Sequence, residues 1–535
     1  MADAPRDRWT NHPATLPPHA LTALAARWGT AAPTPRPADP AATGAERALA
    51  EAVRAALVGV VGAEYVLTGV DERRGRAGGL SYLDLLRHRL GGPPAMPDAV
   101  VLPADPEQVQ GVLHACRLHD VAVVPFGGGT SVVGGVDALR GDKDAVIALD
   151  LRRLDRLVRV DETSRLAVLQ AGVRGPDAER LLAAYGLTLG HLPQSFERAT
   201  IGGFAVTRSA GQASSGYGRF EDMVQGLRLA TPAGEWRAGR APASAAGPDL
   251  KRLVLGSEGA FGVVTEVTLR VRQLPTHRRY EVLVLDGWQR GLQAVRALAQ
   301  RGALADVTRL SDPAETDLGL SMTGGRKTAM VRRYLRARGV AEPCLLVLGW
   351  EAGSRRELAA RRGATRRVIR EFRPVSLGAR AGEAWRRGRF AGPRQRDALM
   401  AAAVCVETLE TAAYWSAVPE LADEVRAALA AALPTAVVAC HVSHAYETGA
   451  SLYFTVLAPR DEHDPVGQWQ RAKRAAGDAI ARRDGTITHH HAVGVDHLPW
   501  LRAEIGDLGA EALRAVKAAL DPTGIMNPGK LLPAR

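Results

Sequence analysis

Short apolar runs and amphipathic stretches alternate along the chain from about residue 99. Residues 100–103 and 121–125 are apolar enough to form buried strands. The stretch between them begins with Asp105 and Pro106, which are typical of a helix N-cap and of the first helical position. The pattern predicts a strand–helix–strand unit. It also predicts strands at 146–151 and 166–172 and a helix at 177–185.

A second region with the same mixture of elements begins after residue 275. The sequence predicts strands at 279–285 and 344–351 and helices at 289–304 and 354–372. Upstream of residue 98, a Pro/Ala-rich stretch (31–42) precedes a helical run (46–58). We therefore predict an α+β protein that consists of a lead-in region (1–97), a first domain (98–275), a second domain (276–478) and a C-terminal segment (479–535).

Gly127, Gly128 and Gly129 directly follow the strand predicted at 121–125, and Thr130 and Ser131 come next. Consecutive glycines permit positive φ and lack Cβ atoms, so several main-chain N–H groups can approach one anion. The stretch matches neither the Gly-x-Gly-x-x-Gly fingerprint nor the Walker A motif. Two interpretations stay open from the loop alone: a phosphate or pyrophosphate site, and a tight connection.

Residues 194–224 are dense in small and polar side chains and are predicted to form a long loop without regular structure. A loop of this length inside a compact domain is usually functional. Glycine turns recur at 256–262, where they lead into an alternating strand. These stretches predict a backbone that lies close to a large ligand.

Composition and charge narrow the function. The 535 residues carry a formal charge of +12, and the four cysteines lie apart without a Cys-x-x-Cys pair, which argues against a disulfide framework and a zinc site. No apolar stretch approaches the ~18 residues of a membrane span, and the N-terminus has no apolar h-region. We therefore expect a cytoplasmic protein. The charge favours anionic partners, but aromatic residues make up only 5% and no nucleic-acid motif accompanies them, so we expect no nucleic acid.

His489, His490 and His491 adjoin one another between a strand and a loop. Neighbouring side chains alternate across a strand, so the three cannot all point the same way. The residues alone leave three interpretations open: part of a metal site, an acid/base group, or a polar surface turn. A metal would need further ligands such as His441 or His444, and we expect no metal.

Four of these stretches together resemble the FAD-binding domain of the vanillyl-alcohol oxidase / p-cresol methylhydroxylase superfamily. Within it, the chain from about residue 80 onward resembles the alkyldihydroxyacetonephosphate synthase family. The resemblance implies a two-subdomain FAD-binding domain at 98–275, an α+β cap domain for the substrate at 276–478, and a C-terminal segment that returns to the flavin. The residues that it implies in FAD binding are Pro125, Phe126, Gly127, Gly128, Gly129, Thr130, Ser131, Gln194, Ser195, Phe196, Glu197, Arg198, Ala199, Thr200, Thr207, Arg208, Ser209, Ala210, Glu258, Gly259, Ala260, Phe261, Gly262, Val263 and Val264.

In that family the stretch 125–131 would hold the pyrophosphate, and the other three would contact the ribityl chain, the isoalloxazine and the adenine side. Relatives that bind flavin covalently through this loop carry a histidine near it, as in Arg-Ser-Gly-Gly-His. This chain has Gly-Gly-Gly-Thr-Ser at that place. We therefore expect FAD to be bound non-covalently.

The resemblance also implies an activity. The family exchanges the acyl chain of acyl-dihydroxyacetone phosphate for a fatty alcohol, which makes an ether lipid through an adduct at flavin N5 without net redox change. Tyr453 would act as the general acid/base, Arg396 would hold the substrate phosphate, and Arg309 and the three histidines would be needed for activity. From the residues alone, Tyr453 could equally be a core tyrosine, and Arg396 could be a helix N-terminal arginine paired with Asp397.

The alternative function is an FAD-dependent oxidase or dehydrogenase of a 2-hydroxy acid or an alcohol. Hydroxyacid dehydrogenases of the superfamily typically carry Gly-Glu-His-Gly-Ile-Gly where this chain has His-His-His-Ala-Val-Gly. The missing glutamate counts against metal-assisted oxidation of a hydroxy acid. Ala492 departs from the synthase pattern, which commonly has glycine there, and this leaves the alkyl acceptor open.

The implied partners are small-molecule lipids, acyl-dihydroxyacetone phosphate and a fatty alcohol. Residues 318–340 are either an amphipathic gate for a long chain or part of the core. Seven arginines between Arg355 and Arg370 form either a solvated face or a surface held near anionic lipid. The sequence leaves peripheral membrane contact and a homodimer open.

Overall fold

The computed structural model describes residues 6–10, 15–29, 48–92 and 95–532. Its strands are β1 (Val66–Leu67), β2 (Ala99–Val101), β3 (Val121–Phe126), β4 (Ala145–Asp150), β5 (Leu157–Asp161), β6 (Leu166–Gln170), β7 (Leu187–Thr188), β8 (Val224–Thr231), β9 (Gly234–Ala238), β10 (Val263–Arg270), β11 (Arg272–Gln273), β12 (His277–Asp286), β13 (Val307–Ser311), β14 (Pro343–Ala352), β15 (Val375–Leu377), β16 (Val404–Tyr414), β17 (Val437–Ala445) and β18 (Gly449–Pro459). The Pro/Ala-rich stretch (31–42) lies outside the described residues.

Its helices are α1 (Pro18–Trp28), α2 (Glu51–Val61), α3 (Val70–Arg74), α4 (Tyr82–Arg89), α5 (Pro106–Leu118), α6 (Gly175–Ala183), α7 (Ile201–Val206), α8 (Ser214–Tyr217), α9 (Phe220–Met223), α10 (Lys251–Val254), α11 (Trp288–Gln300), α12 (Pro313–Thr323), α13 (Gly325–Ala337), α14 (Arg355–Ile369), α15 (Gly378–Gly388), α16 (Gly392–Ala401), α17 (Val418–Ala432), α18 (Pro465–Arg482) and α19 (Leu498–Leu520). Short 3-10 turns span Ala63–Tyr65 and Arg370–Phe372.

The first sheet contains the strand–helix–strand unit that the sequence predicts. Strands β2, β4 and β3 are parallel neighbours, and β1 pairs antiparallel with β2. Helix α5 begins after Asp105, whose side chain accepts a hydrogen bond from the main-chain N–H of Gln108, and Pro106 is its first residue. The glycine loop starts at the carboxyl end of β3, which is the edge of a parallel sheet where ligands commonly bind.

The second sheet is antiparallel, with the strand order β5-β6-β10-β8-β9. It shares one hydrophobic core with the first sheet, and α2, α5 and α6 contribute side chains to that core. The strand before the glycine loop (β3) and the strand after the later glycine turns (β10) are therefore packed into a single unit.

A seven-stranded antiparallel sheet, ordered β15-β12-β14-β13-β17-β18-β16, dominates the second half of the chain. Leu409, Cys440 and Phe454 lie on the face that packs into a second large core with helices α11, α14, α17 and α18. Side chains alternate along a strand, so the residues next to these three point to the opposite face. That face carries the chemistry described below.

The end of the chain returns to the first sheet, as the fold predicted from the sequence requires. Val123 of β3 donates its main-chain N–H to the carbonyl oxygen of Ile525 at 2.8 Å, and Asn527 donates its main-chain N–H to the carbonyl oxygen of Val123 at 2.9 Å. The side-chain amide of Asn527 donates to the carbonyl oxygens of Gly135 and Glu258 at 3.1 and 2.6 Å. The C-terminal segment is thus joined to the glycine loop and to the glycine turn before β10.

One expectation from the sequence is wrong in detail, and one is incomplete. Residues 194–224 contain the short helices α7, α8 and α9 rather than a loop without regular structure. The prediction missed these helices because elements of four to six residues are too short to show a hydrophobic period. The arginine face of α14 is not simply solvated or free for lipid. Arg361 pairs with Asp306, and Arg362 and Arg366 pair with Glu281. Both carboxylates are buried, and a buried charge requires a partner.

Within the described part of the chain, no helix has the length and apolar character needed to cross a membrane. The four cysteines are buried free thiols.

Candidate active site

The glycine loop after β3 has hydrogen-bond donors available for a ligand. Among the described residues, none accepts a hydrogen bond from the main-chain N–H groups of residues 127–132. Gly129 has a φ of +60°, which an L side chain rarely adopts. Unpaired N–H groups that converge in a glycine turn form an anion site. The loop therefore fits the pyrophosphate of a dinucleotide cofactor.

The predicted FAD stretches meet around this loop at main-chain distance. A Cβ on Gly128 would lie 2.1 Å from the carbonyl oxygen of Arg198, so the stretches 125–131 and 194–200 touch backbone to backbone. A Cβ on Gly259 would lie 2.8 Å from Cγ of Pro125, which brings the stretch 258–264 to the same place. Glycine at both positions is what permits the close approach.

Glu258 joins this region to the two neighbouring stretches. Its main-chain N–H donates to the carbonyl oxygen of Val206 at 2.9 Å, just before the stretch 207–210. Its buried carboxylate accepts hydrogen bonds from the main-chain N–H groups of Val493 and Gly494, both at distances of 2.8–3.1 Å. Burial raises the pKa of Glu258 to about 7, although the two main-chain donors oppose that shift.

Some residues that the resemblance implies in FAD binding are engaged elsewhere. Phe261 and Val263 are buried in the hydrophobic cores. The side chain of Glu197 is 61% exposed, and that of Arg208 forms an ion pair with Glu221. The structure therefore brings the four stretches together without turning every side chain in them towards one ligand.

Tyr453 lies in the middle of a row of polar side chains that crosses the seven-stranded sheet. Glu410 on β16 and His441 on β17 are its direct cross-strand partners. The His441 ring stacks on the Tyr453 ring with centroids 4.9 Å apart and planes inclined by 26°. Because the row faces away from the hydrophobic core, Tyr453 is not a core tyrosine. Burial nevertheless raises its pKa above the ordinary value of a phenol.

Arg396 lies in helix α16, next to β16, the edge strand of the seven-stranded sheet. Its Nη2 contacts Glu407 Oε1 at 2.6 Å and Thr408 Oγ1 at 3.2 Å. Arg396 is buried and pairs with Glu407 rather than with Asp397. The interpretation as a helix-terminal arginine paired with its neighbour is therefore wrong, because Asp397 instead accepts hydrogen bonds from main-chain N–H groups in the residues 6–10.

Arg309 reaches the same row from the other side. Its guanidinium donates to Ser311 Oγ at 2.7 Å and to Glu315 Oε1 at 2.8 Å, and it lies 3.1 Å from His441 Nδ1. Glu315 is itself 2.9 Å from His441 Nδ1. The Arg309 and Glu315 pair therefore sets the orientation of the imidazole that stacks on Tyr453.

The three histidines lie in a loop and face different neighbours. His489 Nε2 is 2.6 Å from the hydroxyl of Tyr446, whereas the rings of His490 and His491 lie 6.0 and 5.6 Å from the ring of Tyr453. Burial lowers the pKa of His490 to about 3 and that of His491 to about 4. Both imidazoles are neutral near pH 7, so each can accept a proton.

Ligand nitrogens of His444, His489 and His490 all lie within 4.8 Å of one another. His444 Nε2 is already 2.9 Å from the carbonyl oxygen of Gly211, and His489 uses both ring nitrogens, towards Tyr446 and His490. Protein groups thus occupy the nitrogens that a metal would need. Our prediction of no metal stays a prediction.

Residues 6–10 contact the glycine loop and the helix of Arg396, which sequence reasoning missed. Arg6 is buried and donates to the carbonyl oxygen of Gly129 at 3.1 Å in the glycine loop. Trp9 donates its main-chain N–H to Asp397 at 2.9 Å and its indole N–H to the carbonyl oxygen of Leu80 at 3.2 Å. Both residues lie more than 100 positions before the glycine loop, so no sequence motif predicts this contact.

The comparisons with known proteins agree with this geometry. A model of the FAD binding domain matches residues 97–239, and a model of the C-terminal domain of FAD linked oxidases matches residues 274–531. Alkyldihydroxyacetonephosphate synthase from Trypanosoma brucei brucei is 33% identical over 475 residues, which cover 85% of this chain and 76% of that protein.

Solved structures give the same picture. A structure of an alkyldihydroxyacetonephosphate synthase matches with a TM-score of 0.79 at 25% identity and covers 96% of this chain and 92% of its own. The structure of substrate-bound p-cresol methylhydroxylase matches with a TM-score of 0.67 at 14% identity, covering 89% of this chain and 96% of its own, and shares the fold.

Fold, glycine loop and domain matches together define a flavoprotein in which an FAD-binding domain is joined to an FAD-oxidase C-terminal domain. FAD is its cofactor, as the sequence predicts, and the predicted α+β fold class is confirmed. Within this class, the chain belongs to the alkyldihydroxyacetonephosphate synthase family. Membership of this family supports the predicted alkyl transferase activity rather than the oxidoreductase alternative.

Proposed function

We propose that this protein exchanges the acyl chain of acyl-dihydroxyacetone phosphate for a fatty alcohol, with no net redox change. One observation carries the proposal: the cofactor loop and Arg396 meet at a single residue. Leu80 donates its main-chain N–H to the carbonyl oxygen of Ser131 at 2.7 Å, and its own carbonyl oxygen accepts a hydrogen bond from Arg396 Nη1 at 3.3 Å. A phosphorylated substrate bound by Arg396 would therefore lie beside the cofactor.

Arg396 is the proposed phosphate ligand. A guanidinium is planar and carries five N–H donors, so it can bind Glu407 through one edge and share the other with a phosphate. Glu407 fixes the guanidinium plane, because its carboxylate also accepts hydrogen bonds from the main-chain N–H groups of Tyr82 and Thr408. This arrangement positions the substrate before any chemistry takes place.

Tyr453 is the proposed proton carrier. Its raised pKa keeps the hydroxyl protonated at rest, so it needs an acceptor before it can remove a proton from the substrate carbon. The neutral rings of His490 and His491 beside it are that acceptor. FAD, when bound, supplies the nucleophilic ring nitrogen for the exchange.

The reaction would use residues from three of the regions that we propose for the chain, those that follow the lead-in region. The glycine loop belongs to the region 98–275, Tyr453 and Arg396 to the region 276–478, and the histidine loop to the segment 479–535. Arg219, in the first of these, donates to the carbonyl oxygens of Arg208 and His489 at 3.0 and 2.7 Å and so links the FAD stretch to the histidine loop.

FAD is held without a covalent bond in this proposal, since no histidine stands at residues 125–136. Denaturation in trichloroacetic acid followed by centrifugation tests it. The yellow colour should remain in the supernatant, and colour on the precipitated polypeptide would contradict the proposal.

We further propose that the protein is cytoplasmic and contacts a membrane peripherally, and helix α13 supports this contact. Met330 is 71% and Tyr334 is 40% exposed on this helix, and Lys327 and Arg333 lie nearby in the sequence. An apolar stripe flanked by cations is typical of a helix that lies on anionic lipid. Co-sedimentation should occur with anionic vesicles and be weakened by Met330→Glu. The homodimer that the sequence leaves open is tested by the mass of the FAD-loaded protein in solution.

The activity itself is tested by adding acyl-dihydroxyacetone phosphate and a long-chain alcohol to the FAD-loaded protein without oxygen. We expect release of one fatty acid for each ether formed, and no lasting bleaching of the flavin absorbance. Bleaching without ether formation, on a hydroxy acid or an alcohol, would instead establish the oxidoreductase alternative.

A further inference from the structure

Glu410 is a buried carboxylate beneath the histidine loop, and the sequence analysis did not predict a role for it. Its side chain is fully buried, and it lies directly opposite Tyr453 in the register between β16 and β18. A charged group at such a position costs free energy unless several hydrogen bonds compensate for it. Strand β16 begins with an apolar run (404–406) and then carries Glu407, Thr408 and Thr411 around Glu410.

Four donors converge on this carboxylate. The main-chain N–H groups of His489, His490 and His491 donate to it at 2.6, 3.0 and 2.9 Å, and the hydroxyl of Thr488 donates at 2.8 Å. Three consecutive main-chain donors on one carboxylate fix the path of the loop, because any change of φ or ψ there would break at least one bond. Burial alone would raise the pKa of Glu410, but the histidines and these donors hold it well below the ordinary range, so the group is ionised.

The same carboxylate lies close to the imidazole rings. His490 Nδ1 is 3.6 Å from Glu410 Oε2, and His491 Nδ1 is 3.8 Å from Glu410 Oε1. These two rings are the ones beside Tyr453. Burial disfavours an imidazolium and dominates the pKa of both rings, and a carboxylate within 4 Å reduces that penalty.

We propose that Glu410 is a positioning residue, which holds the histidine loop by main-chain hydrogen bonds and acts as the counter-ion when His490 or His491 takes the proton of Tyr453. The O–H bond of Tyr453 breaks and an N–H bond forms on the imidazole, so a tyrosinate and an imidazolium replace two neutral groups. The tyrosinate then takes the proton from the substrate carbon and becomes a neutral phenol again. This inference rests on the proposed function.

Glu410→Gln tests both the holding of the loop and the counter-ion role. Glutamine keeps the shape of the side chain but loses its charge, and it places an amide donor against a main-chain N–H. Glu504→Gln is the matched control. Glu504 also accepts hydrogen bonds from the loop, from Ile487 N–H at 2.9 Å and Thr486 Oγ1 at 2.6 Å, but it is exposed and contacts none of the three histidine rings.

Hydrogen–deuterium exchange is measured first, on the FAD-loaded proteins. We expect the amides of residues 489–491 to exchange at least about tenfold faster in E410Q and at the wild-type rate in E504Q. Turnover is measured next. We expect kcat of E410Q to fall at least about thirtyfold with KM within about twofold, and Glu410→Asp, which restores the charge, to recover part of kcat.

Wild-type exchange in E410Q would overturn the proposal, and so would a wild-type kcat or an E410D variant no faster than E410Q. The wild-type protein decides the proposed function separately. If it makes no ether product, the proposed function fails, and the exchange rates still decide whether Glu410 holds the loop.

Discussion

Gly128→Ala is expected to weaken FAD binding by displacing the glycine loop. The added Cβ would lie 2.1 Å from the carbonyl oxygen of Arg198 and 2.8 Å from Cα of Ala199, where contacts under 3.0 Å essentially never occur. Both neighbours are main-chain atoms, so one of the two backbones must move by about 1 Å. A shift of that size takes N–H donors out of hydrogen-bond range of a phosphate oxygen.

The magnitude follows from the number of donors lost. A hydrogen bond to a charged group contributes about 1.5–3 kcal/mol, so the loss of two weakens binding by about 3–6 kcal/mol, or ~10²- to 10⁴-fold in Kd. Titration of the apoprotein with FAD, followed by quenching of flavin fluorescence, measures this. Gly363→Ala is the control, because its Cβ would meet nothing within 4 Å on helix α14. A Gly128→Ala protein that binds FAD within about threefold of wild type would refute the reasoning.

Four further predictions concern single side chains. Tyr453→Phe should lower kcat at least ~100-fold and leave FAD affinity unchanged; rapid ether formation by this variant would exclude a proton-transfer role. Arg396→Lys should raise KM for the phosphorylated substrate ~10- to 100-fold, since an ammonium lacks the planar fork. An unchanged KM would show that Arg396 does not bind the substrate phosphate. Arg6→Met should raise the Kd of FAD about tenfold by removing the contact to the Gly129 carbonyl oxygen, as measured by the same titration, and an unchanged Kd would contradict the contact. The folded-state pKa of Glu258 is raised from 4.5 to about 7, so its contribution to stability is present below pH 4.5 and is lost as the pH rises through 7. The unfolding free energy of Glu258→Gln relative to wild type, measured by urea titration, should therefore rise by up to ~3 kcal/mol between pH 5 and pH 7. A difference that does not change with pH would show that burial does not shift the pKa of this carboxyl group.

Local signals made much of the fold predictable. The Asp105 and Pro106 pair marks the start of α5 because capping depends on adjacent residues alone, and the apolar run before Gly127 marks β3. The short helices within 194–224 were missed because four to six residues are too few to show a period. The proposed domain boundaries remain predictions.

The site was predictable only where a motif carried it. The glycine loop and the three histidines could be read from neighbouring residues, but the partners that orient them lie far along the chain. Glu410 is 79 positions from His489 and Glu315 is 126 positions from His441. His489 lies in a loop and Glu315 on helix α12, so only the tertiary fold brings these pairs together. The two glutamates in the strand at 404–414 were an available sign, because a buried charge is rare unless it is paired.

The pairing of Val123 with Met526 has a consequence for synthesis of the protein. Strand β3 forms one edge of the first sheet, and its outer side is covered by residues made about 400 positions later. A nascent chain thus exposes this edge until the residues around Met526 have been made, and an unpaired edge can pair with another chain. The first sheet is therefore complete only after the segment around Met526 has been made, so cofactor loading should follow the synthesis of that segment.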